Sequence, residues 1–75
     1  MNLPPTAARV LTCLKGQARR GVVDILQRDL VIQSRVSYGS MYAGLRMLEE
    51  LGVIETMRDL ADRRRVRYRL KKTDG

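Results

Sequence analysis

The sequence predicts a small α+β domain: three helices, a short strand or extended link before the third, then a two-stranded antiparallel hairpin. Two observations carry this. Apolar residues recur at helical spacing in three segments before residue 52, and the final stretch alternates strictly, with Val66, Tyr68 and Leu70 on one side and Arg65, Arg67, Arg69 and Lys71 on the other. A third sets the scale. At 75 residues the chain has room for one domain, spanning 1–75, and its 44% hydrophobic content is that of a globular core rather than a disordered basic tail.

Helix one is expected over 5–15. Proline at its first turn suits the start, Ala7, Val10, Leu11 and Leu14 fall at i, i+3, i+4 and i+7, and Gly16 supplies a stop. Helix two is expected over 20–30, with Val22, Ile25, Leu26 and Leu30 on its apolar face. Arg19 and Arg20 at its start oppose the helix dipole. Either that small cost is tolerated or the two charges face an anion such as a phosphate.

Residues 31–37 are rich in β-branched side chains and are expected as the strand or link. Ser37 is a candidate N-cap, its hydroxyl accepting from the backbone N–H of Gly39 or Ser40. Helix three follows over 38–51, with Met41, Leu45 and Leu48 inward and Gly52 at the C-terminal glycine position. Its opposite side holds Gly39, Ser40, Ala43, Arg46, Met47 and Glu50. The strand 53–58 and the alternating strand from 65 are joined by a charged turn at 59–64, which completes the hairpin.

Fifteen Lys and Arg against eight Asp and Glu give a net charge of +7, which favours a polyanionic partner. Residues 58–72 hold eight bases and two acids, so most of the excess lies on the expected hairpin. The chain has no His and one Cys, which excludes a His-based acid/base site, a Cys/His zinc site and an intramolecular disulfide. Cys13 reads as a half-buried small side chain in a reducing, cytoplasmic setting, since no His exists to activate it. No catalytic triad, phosphate loop or spaced carboxylate pair is found, so no enzyme and no cofactor are expected. No signal peptide or membrane span is expected either.

Helix, helix, link, helix, hairpin is the plan of a winged helix-turn-helix, whose third helix enters the DNA major groove while the hairpin lies along the backbone. On this plan Ser37, Tyr38 and Ser40 donate to phosphates or base edges, with capping the equal alternative for Ser37. Arg46 is placed to read a guanine edge, or remains a solvated charge, and Ala43 and Met47 offer contact to thymine methyls. Tyr42 is expected to pack under the hairpin rather than touch a base. Arg63, Arg64 and Arg65 at the wing tip clamp phosphate or enter the minor groove. Arg67 joins them as a DNA contact, or pairs with Glu or Asp across the hairpin, as Arg69 does.

The run Ser37-Tyr38-Gly39-Ser40-Met41-Tyr42-Ala43-Gly44-Leu45-Arg46-Met47-Leu48-Glu49-Glu50-Leu51-Gly52-Val53-Ile54 resembles the recognition-helix signature of PadR-like bacterial transcriptional regulators: a small residue and Gly, a Tyr, then Leu-x-x-Leu-Glu-x-x-Gly entering an apolar strand. Weaker similarity continues through Arg64-Arg65 and Tyr68-Arg69-Leu70 to Thr73-Asp74-Gly75, and Gly21 also falls where that family often has Gly. The likeness covers about 17–75, and MarR-like regulators share its plan. It implies a sequence-specific double-stranded DNA-binding regulator, a repressor acting as a homodimer on a palindrome, nucleoid-associated in the cytoplasm. The alternative is a winged-helix adaptor for protein or RNA without operator preference. PadR-like chains usually add C-terminal helices that build the dimer. Here dimerisation would fall to helix one and the N-terminal segment. With no Phe or Trp and only three Tyr, an aromatic ligand pocket is not expected.

Overall fold

The computed structural model describes residues 3–57 and 64–71. Three helices and three strands follow one another as α1 (Pro5–Gln17), β1 (Val22–Leu26), α2 (Gln27–Ser34), α3 (Tyr38–Glu50), β2 (Ile54–Thr56) and β3 (Arg65–Leu70). The strands form one antiparallel sheet in the order β1-β3-β2. The fold is therefore α+β, as expected, with one strand more than the hairpin supplies.

The extra strand corrects the expected second helix. Val22 to Leu26 satisfies both periodicities, because its apolar residues lie at helical spacing and also flank a single polar Asp24. The chain adopts the second reading: Val23 and Ile25 are buried and Asp24 is exposed. Two things decide it. Arg20 and Gly21 both take positive φ, +54° and +77°, and Arg19 and Val22 exchange backbone hydrogen bonds of 2.8 and 3.0 Å across them. That two-residue reversal turns the chain back and delivers Val22 in extended form. Strand β3 then supplies the ladder, pairing Val22 with Arg69 through Leu26 with Arg65. Arg19 and Arg20 thus sit at a hairpin tip and not at a helix N-terminus.

The expected link at 31–37 is corrected as well. Residues 31–34 complete α2, because Leu30 and Ser34 fall on one buried face. The Ser34 hydroxyl donates to the Leu30 carbonyl and leaves no orphan polar atom in the core. Arg35 ends the helix in the left-handed region, its N–H bonding Val31 O at 3.0 Å. Only Arg35, Val36 and Ser37 separate α2 from α3. Helix α1 also passes through Gly16 to end at Gln17, with Ala18 extended behind it.

Helix α3 starts and stops where the sequence places it. Ser37 caps it, and at the other end Gly52 takes φ +74° while Gly52 N–H bonds Glu49 O and Val53 N–H bonds Leu48 O. This is the paired-bond left-handed termination, and its companion apolar contact joins residues that are both buried, Val53 and Leu48. Gly52→Ala is expected to cost about 1 kcal/mol, read as a lower midpoint in urea unfolding at unchanged slope.

The core lies between the helices and one face of the sheet, where Val10 and Leu14 of α1, Leu30 of α2, Met41, Leu45 and Leu48 of α3, and Val23, Ile25, Ile54, Val66 and Tyr68 of the strands are all buried. Cys13 packs at its edge, its thiol donating to Gln33 Oε1 at 3.5 Å. Burial pushes its pKa up, which keeps it a protonated, weak nucleophile. Among the described residues no helix is long and apolar enough to cross a membrane.

Candidate nucleic-acid interface

One side of α3 is core and the other is free. Met41, Gly44, Leu45 and Leu48 are buried, while Tyr38, Gly39, Tyr42, Ala43, Arg46 and Glu50 are exposed, with Ser40 and Met47 between. The helical period thus delivers the expected face. At its start, Ser37 Oγ accepts from Ser40 N–H at 3.1 Å and donates to Ser40 Oγ at 3.0 Å. The capping role of Ser37 is therefore occupied. Ser40 retains its own hydroxyl proton to donate.

Arg46 takes no hydrogen bond or ion pair among the described residues, and Arg28 on α2 is likewise unpaired. Beside Arg46 runs a groove of about 790 Å³, lined by Tyr42, Ala43, Arg46 and Met47 of α3, with Tyr68 of β3 and with Glu49 and Glu50 at the helix's last turn. Tyr68 is built into this groove rather than offered by it. Its burial, then the neighbouring Glu49 carboxylate and a hydrogen bond to it, push the phenol up to about 12.

Tyr42 departs from the sequence reading. It does not pack under the hairpin: it is 50% exposed, its hydroxyl donates to Gln27 Oε1, and its ring lies 6.5 Å from that of Tyr38 at 37°. Gln27 also gives its backbone N–H to Arg64 O at 2.8 Å. One residue at the start of α2 thereby ties α3 to the entry of β3. No periodicity or motif marks Gln27, because its importance arises only when three elements converge.

The outer face of the sheet carries the alternating cations, and two acids each hold a pair of them, which neutralises half of the charge. Asp24 of β1 sits opposite Arg67 and holds two guanidinium groups, Arg65 Nε on Oδ1 and Arg67 Nη2 on Oδ2, each at 2.7 Å. Glu55 of β2 faces Arg69 and meets Lys71 Nζ at 3.2 Å and Arg69 Nη1 at 3.8 Å. Both partners of Asp24 lie more than 40 residues away, so the sequence offers only a weak signal: a lone acid in a β-branched run. Arg65 and Arg67, singled out as DNA contacts, must share with Asp24, or exchange it for, any phosphate they reach. Arg64 is exposed at the entry of β3, while Arg63 and most of the expected turn at 59–64 lie outside the described residues.

The hydrogen bonds from Arg65 and Arg67 hold the Asp24 carboxyl below its ordinary range. A carboxylate with a lowered folded pKa stabilises the fold above its ordinary pKa, and that contribution disappears as pH falls through the lowered value. Asp24→Asn is accordingly expected to be less stable than wild type at about pH 7, with the difference shrinking as pH falls below the ordinary carboxylate range, measured by urea unfolding. Because the pairs are exposed, the difference should stay within about 1 kcal/mol.

Comparison with protein-family models, curated proteins and solved structures finds no match.

The interface is therefore defined by its own chemistry. Among the described residues no group of three or more His, Cys, Asp or Glu could hold a metal. What the surface offers is a helix with small and polar residues on its open face, the unpaired Arg46 and Arg28, two half-exposed tyrosines and a flanking strand of cations held by acids.

Proposed function

We propose that this chain is a winged helix-turn-helix regulator of transcription that binds double-stranded DNA in a sequence-specific manner, PadR-like in its recognition helix, acting in the cytoplasm as a homodimeric repressor. The observation that carries this reading is the open face of α3. A 13-residue helix is about 20 Å long, it follows α2 across a three-residue turn, and the unpaired Arg46 stands on its open face beside Ala43. In this arrangement α3 lies in the major groove, Arg46 takes a guanine edge, Ala43 and Met47 meet thymine methyls, and Ser40 and Tyr38 donate to phosphates.

Strands β2 and β3 act as the wing, with Arg63, Arg64, Arg65 and Arg67 on the backbone. Phosphate can displace Asp24 from Arg65 and Arg67 because exposed ion pairs are weak and salt-screened. The wing then supplies general affinity while α3 supplies choice of sequence.

Selection of bound sequences from a random duplex pool tests the proposal. An enriched, two-fold symmetric motif with half-sites about one helical turn apart is the expected result, with log K falling linearly in log salt. Failure to enrich any motif overturns it and leaves a winged-helix adaptor for protein or RNA.

A further inference from the structure

Tyr38 and Tyr42 are the only two aromatic rings on the exposed surface among the described residues, and they stand side by side at the start of α3, 46% and 50% exposed. Helical spacing of four residues explains their contact but not their exposure, since a ring left half in water gives up burial that a core position would provide. Tyr42 is held by Gln27, so its ring is fixed and not free to fold away. Beside Tyr38 lies a hollow of about 290 Å³ lined by Leu26, Gln27, Arg28, Tyr38 and Arg64. That volume suits one small ring system rather than a peptide or helix.

The lining is selective in its chemistry. Leu26 and the Tyr38 ring supply apolar faces and Arg28, unpaired among the described residues, supplies a cation, while the Gln27 amide holds Tyr42 in place. Among the described residues no carboxylate lines the hollow. A flat ring joined to an anion meets these apolar faces and this cation, and a nucleotide is such a molecule. Paired bases in a duplex cannot present their faces, so the ring must come from an unpaired nucleotide.

We propose that the Tyr38–Tyr42 pair and the adjoining hollow form a seat for one unpaired nucleobase, with Arg28 on its flanking phosphate, so that the protein also binds single-stranded nucleic acid. The proposal shares a polyanionic partner and Arg64 with the regulator reading but needs no operator.

The chain has three tyrosines and no tryptophan, so intrinsic emission comes from these two exposed rings and the buried Tyr68. Three probes are titrated in parallel: a dT 12-mer, an rU 12-mer and a dT 12-mer made abasic throughout. The dT 12-mer is expected to quench tyrosine emission and to bind at least about 5-fold more tightly than its abasic counterpart, as one stacked base implies. Tyr38→Leu should abolish the preference and much of the quenching, whereas Tyr38→Phe retains the preference. Tyr38 is half exposed, so Leu there does not threaten the core, and circular dichroism checks this. Binding of both the dT and the rU strands no tighter than the abasic strand, or an unchanged preference in Tyr38→Leu, overturns the seat. Quenching by rU alone keeps the seat and names RNA as its ligand. An enriched duplex motif without single-strand preference sinks the seat and spares the regulator; the reverse pattern does the opposite.

Discussion

Leu48→Ala is expected to lower the unfolding free energy by about 2–5 kcal/mol. Leu48 is fully buried, and its carbonyl anchors the left-handed turn that ends α3 through Val53. Truncation removes its contacts and leaves a void between α3 and the sheet. The loss is large beside the roughly 4–11 kcal/mol that a domain of 75 residues commands. Urea unfolding followed by circular dichroism at 222 nm measures it. If the midpoint moves by less than the equivalent of about 1 kcal/mol, the α3-to-sheet packing described here is wrong. Binding by this variant should fall only through the unfolded fraction and be restored where the fold is restored.

Arg46→Ala is expected to act in the opposite manner, on binding and not on stability. Arg46 is exposed and makes no ion pair or hydrogen bond among the described residues, so its removal should change unfolding by no more than about 0.5 kcal/mol. Against the selected duplex it should relax preference at one base pair by about 1–3 kcal/mol, with other positions unchanged. Competition binding with single-position operator variants reads this directly. A uniform loss across all sequences would instead make Arg46 a phosphate contact. By comparison, replacing Arg63, Arg64 and Arg65 with Ala should weaken every sequence and flatten the salt slope.

The legible parts of this molecule share one property: their signals are local. The apolar spacing of α1, the Ser37 cap, the inward face of α3, the Gly52 turn and the alternation of β3 each depend on residues within a few positions. The open face of α3 was legible for the same reason, since burying Met41, Leu45 and Leu48 leaves Gly39, Ala43 and Arg46 on the other side. Segment 22–34 was not. Val22, Ile25, Leu26 and Leu30 fit a helical face as well as Val23 and Ile25 fit a strand, and five residues are too few for periodicity to choose between them. Residues 31–34 were drawn toward a strand by their β-branched side chains, an intrinsic preference that burial of Leu30 and Ser34 overrides.

The electrostatic picture changed most. Counting along the chain concentrates positive charge on the hairpin, but it cannot see that a strand from before α2 will lie against β3 and bring Asp24 within 2.7 Å of two of those arginines. Nor can it see that Gln27 will hold Tyr42 at the surface.

From the sequence alone follow the class of fold, the helix that faces outward, the basic balance and the absence of His-based chemistry. These rest on composition and on periods of two and 3.6 residues, which are properties of short segments. Tertiary structure alone decides the third strand, the pairing of Arg65 and Arg67 with Asp24, and the exposed tyrosine pair. The reason is physical: backbone hydrogen bonds and ion pairs between segments 40 residues apart depend on where the chain returns in space, and hydrophobic pattern specifies which face is buried but not which neighbour completes it.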